Sequence, residues 1–595
     1  MHRKIFTIFI LCVFVLISFK GVNVNAQNVG STFILGYAGT SFNTFNQFNN
    51  PLGPSPMIAL AIYDTLIHYD SNYDPVVPDL AYKWYVYPNN SAAVFYLVKN
   101  ATWSDGYPVT AQDVVYSFEV ANNSASTYEP NVAGITSVQA IGNYTVVFHY
   151  KPTLLFLAEA AAVIPIVPKH VWEKYVPNPS NATQLTNYQD YPVVSSGPFE
   201  VTNYVQGQYI ELTANTHYFY KSRIPHVQHI IIQFFKDANS MVAALEAGQI
   251  DAAAPYITPV QAEALKSYPD ITVFNGPGLQ IWYIGINVNP NGHGNPTLRD
   301  LRVREALAHA INYTELTQLI WGNFATPAAG LIPKGWKYYD PNLKPYTFNL
   351  TLANQILNEA GYKMGANGVR VSPNGTPLSY TLYVVSYAPE EIRAAQLIAN
   401  WWSQIGVQAK VEAVDTGTLA SIIWPNFTQD FDLWDWIYTS PALPTLLQVM
   451  TTQAIQTEAS DSGFSNSTYD EIYNQMVTTT NQTQLTEDAY KLQEILYQQI
   501  PYIDLYYVDA VQAYNSAAFK GYVTNMTGGP FSDNNWITFV TLTPTQSYSS
   551  TQTSPTTQTA NVSSSFIIGD LVIPVAVVIA ILLTILLVRK YRVKT

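Results

Sequence analysis

ATWSDGYPVTAQDVVYSFE, Ala101 to Glu119, holds an aromatic residue, a turn, a proline and a helix start within nineteen residues. Trp103 closes a strand that begins in AVFYLVK, and Asp105-Gly106 turns the chain. Thr110-x-x-Asp113 then makes a capping-box-like start for a helix carrying Val114, Val115 and Phe118. The charges of the stretch are therefore local architecture. Asp105 as a catalyst is the sharper alternative, with the turn as its simpler rival.

Strand and helix patterns alternate on either side. DANSMVAALEAGQIDAAAPY offers Asp237 or Asn239 as a cap, a helical set of Met241, Val242 and Leu245, and Gly248 as a stop before a short strand, Ile250 to Ala253. Further on, SYTLYVVSY alternates like a strand, APEEIRAAQLIANWWSQIG is a helix ended by Gly406, and VQAKVEAVD alternates again. That order is a βαβ crossover, expected to be right-handed. TLRDLRVREALAHAINYTELTQLIWG is the strongest helical pattern, with Asp300 or Thr297 as its cap and Val303, Ala306, Leu307, Ala310 and Ile311 on one face. The fold class is α/β.

The ends predict export and anchoring. MHRK, then IFTIFILCVFVLISF, then Val24-Asn25-Ala26 reads as a signal peptide over 1–26, and it carries away the sole cysteine, Cys12. LVIPVAVVIAILLTILLV, Leu571 to Val588, is long enough to span a bilayer, and the basic RKYRVKT after it places the C-terminus in the cytoplasm. The charge-free, Ser/Thr-rich run before it is a flexible stalk. Without leader and tail the body keeps 21 basic and 40 acidic residues, a net charge of −19 that leaves no basic patch for nucleic acid. Thirteen N-x-S/T sequons, Asn89 to Asn561, fit a glycoprotein outside the cell.

WSDGYPVTAQDVVYSFE resembles a motif of the family-5 extracellular solute-binding proteins of ABC importers, the group that includes dipeptide-, oligopeptide- and nickel-binding proteins. Six further segments fall in that family's order: SSGPFEVTNYVQGQYIELTANTHYF, ALEAGQIDAA, LRDLRVREALAHAIN, LANQILNEAGY, DFDLWDWIY and LQEILYQQIPYIDLYYVD. The resemblance covers Gln27 to Leu542 and implies a two-lobed periplasmic-binding-protein-like clamp of type II with an extra inserted domain. It implies a discontinuous lobe I of 27–72, 190–282 and 505–541, an inserted domain II of 73–189 and a lobe III of 283–504. Outside these lie the stalk at 542–565, one transmembrane helix at 566–588 and a basic tail at 589–595.

Such a clamp binds where its lobes meet, and there aromatic walls and a few fixed polar groups do the work. In FDLWDWIYT, alternation sets Asp432, Trp434, Trp436 and Tyr438 on one face and Leu433, Asp435 and Ile437 on the other. By resemblance Trp436 lines the cavity, and an Asp three residues later anchors a peptide's amino group; here that position is Thr439. Asp432 or Asp435 are substitutes. Alternatively the ligand carries no ammonium, and stacked Trp and Tyr suit sugar rings. Trp434 and Trp436 as plain core is the competing assignment. Trp282, Tyr283 and Asn287 lie near the hinge by resemblance, and Phe42, Asn46 and Phe48 fall in a first cleft loop, with core packing or turn chemistry as the alternatives.

No G-x-S-x-G, H-E-x-x-H or G-x-x-x-x-G-K-[ST] occurs. His226 and His229 face opposite ways on a strand and do not make a shared metal site. No enzyme, cofactor or metal is therefore expected. The sequence predicts a monomeric cell-surface protein of archaeal type that captures di- or oligopeptides and delivers them to ABC permease subunits with cytoplasmic ATPases. An oligosaccharide-binding protein of the same family is the alternative; a secreted glycosidase or a structural surface protein are the competitors from other classes.

Overall fold

Two long antiparallel strands carry the chain from one half of the molecule to the other. The computed structural model describes residues 31–545 apart from 40, 41, 50, 52, 256, 438–443 and 534. The expected leader at 1–26, membrane helix at 566–588 and basic tail lie outside the described residues, as do Tyr438 and Thr439; among the described residues no helix is long and apolar enough to cross a membrane.

The main sheet has eleven strands, numbered here in chain order: β1 Thr32–Ala38, β2 Phe199–Val205, β3 Tyr209–Ala214, β4 His229–Phe235, β5 Ala252–Ala253, β6 Ile271–Ile286, β7 Ala325–Pro327, β8 Ser379–Val385, β9 Gln408–Val414, β10 Phe431–Ile437 and β11 Tyr502–Asn515. Their spatial order is β9-β8-β10-β6-β11-β5-β1-β4-β3-β2, with β7 on β11. At one end β11 pairs with β5; at the other, β6 pairs with β10. The β6–β11 ladder, from Ile271↔Asn515 to Gly285↔Tyr502, thus joins the lobes, and it shifts register between Gly276 and Gln280 and again between Trp282 and Tyr283. At the first shift the strands approach so closely that a Cβ on Gly278 would lie 2.0 Å from the Val508 carbonyl oxygen.

The opening motif folds a separate four-stranded antiparallel sheet, Ala81–Val86, Ala92–Leu97, Thr145–Tyr150 and Ile135–Ala140 in spatial order. Trp103 is buried, Gly106 takes φ +89°, and the Thr110–Asp113 capping box opens the helix Ala111–Ala121. Asp113 works twice, accepting from Thr110 N (2.8 Å) and from Lys169 N (3.0 Å). Asp105 accepts from Tyr107 N (3.3 Å) across its turn and meets His170 at 2.7 Å.

In lobe III the βαβ crossover forms as read: β8, helix Pro389–Ser403 and β9, with β8 and β9 parallel from Ser379↔Gln408 to Val385↔Val414. The long helical pattern at 297–322 divides into helices Leu301–His309 and Tyr313–Ile320. The cause is Asn312, whose side chain accepts from Glu315 N and starts a second helix while the apolar period continues. Asp300 and Asp237 are the caps actually used, accepting from Arg302 N and Ser240 N.

One buried cation closes the edge of this lobe. Arg370, 4% exposed, donates to Ile405 O (2.8 Å), Tyr362 O (2.6 Å), Asn358 Oδ1 (2.6 Å) and Asn354 Oδ1 (2.8 Å), tying helix Leu350–Glu359 to the end of Pro389–Ser403. Arg370→Met leaves those acceptors buried without donors and is expected to cost about 2–3 kcal/mol, read as a lowered urea midpoint.

Candidate ligand-binding site

In lobe III the sheet buries two different faces. Trp282, Ile284, Leu433 and Tyr506 point into a core of helices that includes Trp402. On the other face Ile281, Tyr283 and Gly285 of β6 lie opposite Trp436, Trp434 and Asp432 of β10, with Tyr502 and Asp504 of β11 beside them. The sequence alternation of 432, 434 and 436 is therefore real, and Tyr283 joins it. Tyr283 stacks on Tyr502 (4.1 Å between centroids, 13° between planes) and on Trp436 (6.5 Å, 14°), while Trp434 leans on Trp424.

This face is rich in buried acid. Tyr283 donates to Asp461 Oδ2 (2.6 Å) and Tyr502 donates to Asp461 Oδ1. Asp432 is fully buried against Gly285, with Gln429 and the Asp461 carboxyl as its polar neighbours. Burial, with the Asp461 carboxyl nearby, pushes Asp432 well above the usual carboxylate range. Asp504 is pushed up to about 7 by burial alone and borders a cavity of about 20 Å³, the room of a single water.

At the register shift of β6 a larger pocket of about 540 Å³ opens between the lobes, within the range of small-molecule sites. Its walls are the turn carrying Tyr73 and Asp74, Pro277 of β6, Trp336 and Lys337 of lobe III, and residues 524–527 near the end of lobe I. Lys337 Nζ reaches Asp74 Oδ1 at 2.6 Å across the gap, and Tyr73 donates to Thr527 O at 2.9 Å. A second bridge between lobes runs from Leu154 N in domain II to Thr479 O (3.2 Å).

Of the residues singled out from sequence, Trp436, Trp434, Asp432 and Tyr283 come together. The others do not. Trp282 and Asp435 sit on the opposite face because strand alternation puts them there; Asp435 accepts from Gln280 Nε2 and Tyr387 OH, each at 2.8 Å. Asn287 clamps a loop, its amide donating to Phe427 O and Gln429 O at 2.7 Å. Phe42, Asn46 and Phe48 are 8%, 0% and 0% exposed, and their contacts are internal. Asn46 donates to Leu185 O and Tyr188 O, Phe48 packs on Tyr128 and Trp172, and Phe42 packs on Phe45 and Tyr204: the loop fastens domain II to lobe I. His229 lies 3.2 Å from Glu211 and begins β4, whereas His226 precedes that strand. Lys337, Asp74, Asp461 and Tyr502 were missed. The available signal for Lys337 was the scarcity of cations in the body, which makes each one worth placing.

Two halves of one sheet joined by long paired strands, with a pocket at their register shift, have the architecture of a clamp. The model of the bacterial extracellular solute-binding proteins, family 5 Middle, matches residues 75–458, and the chain belongs to that family. It is 28% identical over 370 residues to an ABC transporter peptide-binding protein of Brucella ovis, an alignment covering 61% of this chain and 65% of that relative's length. It is 26% identical over 422 residues to the oligopeptide-binding protein AppA of Bacillus subtilis, covering 69% of this chain and 74% of AppA. A periplasmic oligopeptide-binding protein of Thermotoga maritima has the same fold, with a TM-score of 0.75 at 22% identity over 87% of this chain and 100% of that one.

Proposed function

We propose that the chain is the extracellular solute-binding component of an ABC importer, capturing peptides between its lobes and passing them unaltered to a membrane permease. The observation that carries this reading is the 540 Å³ pocket that opens at the register shift of the β6–β11 ladder. The peptide-binding names of the Brucella and Bacillus relatives support the ligand class. Closing onto a ligand must offset the lost freedom of the lobes, and the aromatic and polar walls supply that free energy when ligand and wall desolvate together. The lobe boundaries given above, an archaeal cell-surface location, glycosylation and a helix at 566–588 that tethers the body through the stalk belong to this proposal; a tether raises the local concentration at the permease.

Trp434 tilts toward Trp424 and Trp436 lies parallel to Tyr283 at 6.5 Å, and oligosaccharide stays the second reading beside peptide. A thermal-shift screen of the purified chain tests the choice. Peptides are expected to raise the melting temperature, since a ligand at a hundred times its Kd adds about 2.7 kcal/mol by mass action. A shift with oligosaccharides alone would overturn the peptide assignment, and turnover of a glycan would overturn the binding-protein reading altogether.

A further inference from the structure

The four-stranded sheet built around the opening motif covers only one of its faces. Phe95 and Phe148 point into the core, where Phe118 of helix Ala111–Ala121 meets Phe148 at 4.8 Å between centroids. Alternation puts Lys83 and Tyr85 of one strand and Val94 and Tyr96 of the next on the other face. Tyr87 extends that face, its ring meeting Tyr85 edge to face at 5.2 Å. Tyr85 and Tyr87 are 52% and 44% exposed. None of the four strands contains an Asp or Glu, in a body with 40 acidic residues, and Ala81–Val86 is an edge strand. An aromatic edge without acidic side chains invites pairing with other chains when nothing covers it.

The same hairpin offers the means of covering it. Its tip is Asn89-Asn90-Ser91, a sequon two residues beyond Tyr87. Asn89 is exposed and caps no helix: its Oδ1 accepts from Ser91 N (3.4 Å), and its Nδ2 donates to no group among the described residues. Asn90, with φ 47°, is the residue that takes the left-handed turn conformation, so the backbone does not require an Asn at 89. A sugar ring has C–H faces and hydroxyl edges, which suits an aromatic ring with one side open to water.

We infer that Asn89 carries an N-linked glycan whose first sugars lie on the rings of Tyr85 and Tyr87 and screen this edge. The inference rests on the glycosylation reading above and narrows it to one sequon and one surface. In the attachment step Asn89 Nδ2 bonds to the anomeric carbon of a lipid-pyrophosphate-linked oligosaccharide as the anomeric C–O bond breaks; the pyrophosphate leaves with that electron pair and the amide gives up one proton.

The full chain isolated from its own cells tests this, beside Ser91→Ala, which removes the sequon but keeps Asn89, and Asn89→Gln. Peptide mapping by mass spectrometry is expected to find sugar on Asn89 in the wild type and on residue 89 of neither variant. Nitration by tetranitromethane then reads access to the rings. Tyr85 and Tyr87 should react about fivefold more slowly in the wild type than in either variant, as for a glycan seated on them most of the time. Tyr107, exposed in the same part of the chain, should react alike in all three. A bare Asn89 beside other occupied sequons overturns this inference alone; if no sequon is occupied, the glycosylation reading fails and takes it along. An occupied Asn89 with equal nitration of Tyr85 and Tyr87 in all three proteins overturns the packing. A wild-type dimer in sedimentation velocity that Tyr85→Ser dissolves would put a second copy of the chain on this face and overturn it as well.

Discussion

Gly278→Ala is expected to be the most damaging single-atom addition in the body, costing more than about 4 kcal/mol. The new Cβ would stand 2.0 Å from Val508 O, 2.9 Å from Ala510 N and 3.0 Å from Asp509 C. All three are backbone atoms of β11, so no side-chain rotation relieves the clash and the two crossing strands must part by roughly 1 Å. They part where the ladder already skips from Gly276 to Gln280, and this pair of strands runs from one lobe into the other. Ligand affinity should fall with stability, because the closed spacing of the pocket depends on the same crossing. Gly142→Ala is the control: its φ is +64° and nothing lies within 4 Å of a Cβ there, so only the left-handed backbone term of about 1–2 kcal/mol applies. Multi-lobed unfolding is not two-state, so the comparison is of urea midpoints by one probe. A midpoint for Gly278→Ala as high as that for Gly142→Ala would refute the close-approach account.

That crossing was hard to read from the sequence, and the reason is physical. β6 contains Asn275-Gly276-Pro277-Gly278, which reads as a turn, yet tertiary pairing to β11 overrides it and the strand continues for 16 residues. Local signals survived well: the capping box at Thr110, the βαβ unit from Ser379, and the alternation of Phe431 to Ile437 all depend on contacts within a few residues. Long-range partnership did not. Asp461 meets Tyr283 and Tyr502 from 178 and 41 residues away, and nothing near Asp461 in the chain points to that encounter. Phe42, Asn46 and Phe48 were placed in a cleft loop, where aromatic and amide side chains suit a ligand equally well as they suit a domain junction. Capping chemistry also inflates the sequon count: Asn181, Asn312, Asn349, Asn466 and Asn481 are helix N-caps whose following Ser or Thr completes N-x-S/T.

Glu391→Gln is expected to stabilise the body at high pH and to leave it nearly unchanged at low pH. Glu391 is fully buried in the third position of helix Pro389–Ser403, accepting from Trp321 Nε1 (3.2 Å) and from Tyr506 OH. Burial pushes its carboxyl from 4.5 up to about 8; the bonds from Tyr506 and Trp321 pull against that rise, and Asp435 and Glu390 add to it. The sign follows from proton counting: between about 4.5 and 8 the folded chain holds a proton that the unfolded chain has released, so stability falls as pH rises through that window and is flat above it. The full fall is about 5 kcal/mol at 1.36 kcal/mol per pH unit. Asp190 and Asp504, both pushed up to about 7 by burial, act in the same direction over a lower window. An amide keeps both contacts, since its oxygen accepts from Trp321 and its nitrogen can donate to the Tyr506 hydroxyl, but it has no proton to lose. The favourable field at a helix N-terminus is forfeited with the charge, which trims the gain at pH 9 to about 4 kcal/mol. Urea midpoints of the two proteins from pH 4 to 9 should therefore diverge as pH rises. Curves that stay parallel across that range would mean that Glu391 ionises as freely in the folded chain as in the unfolded one, and the buried-acid account of this lobe would have to be abandoned.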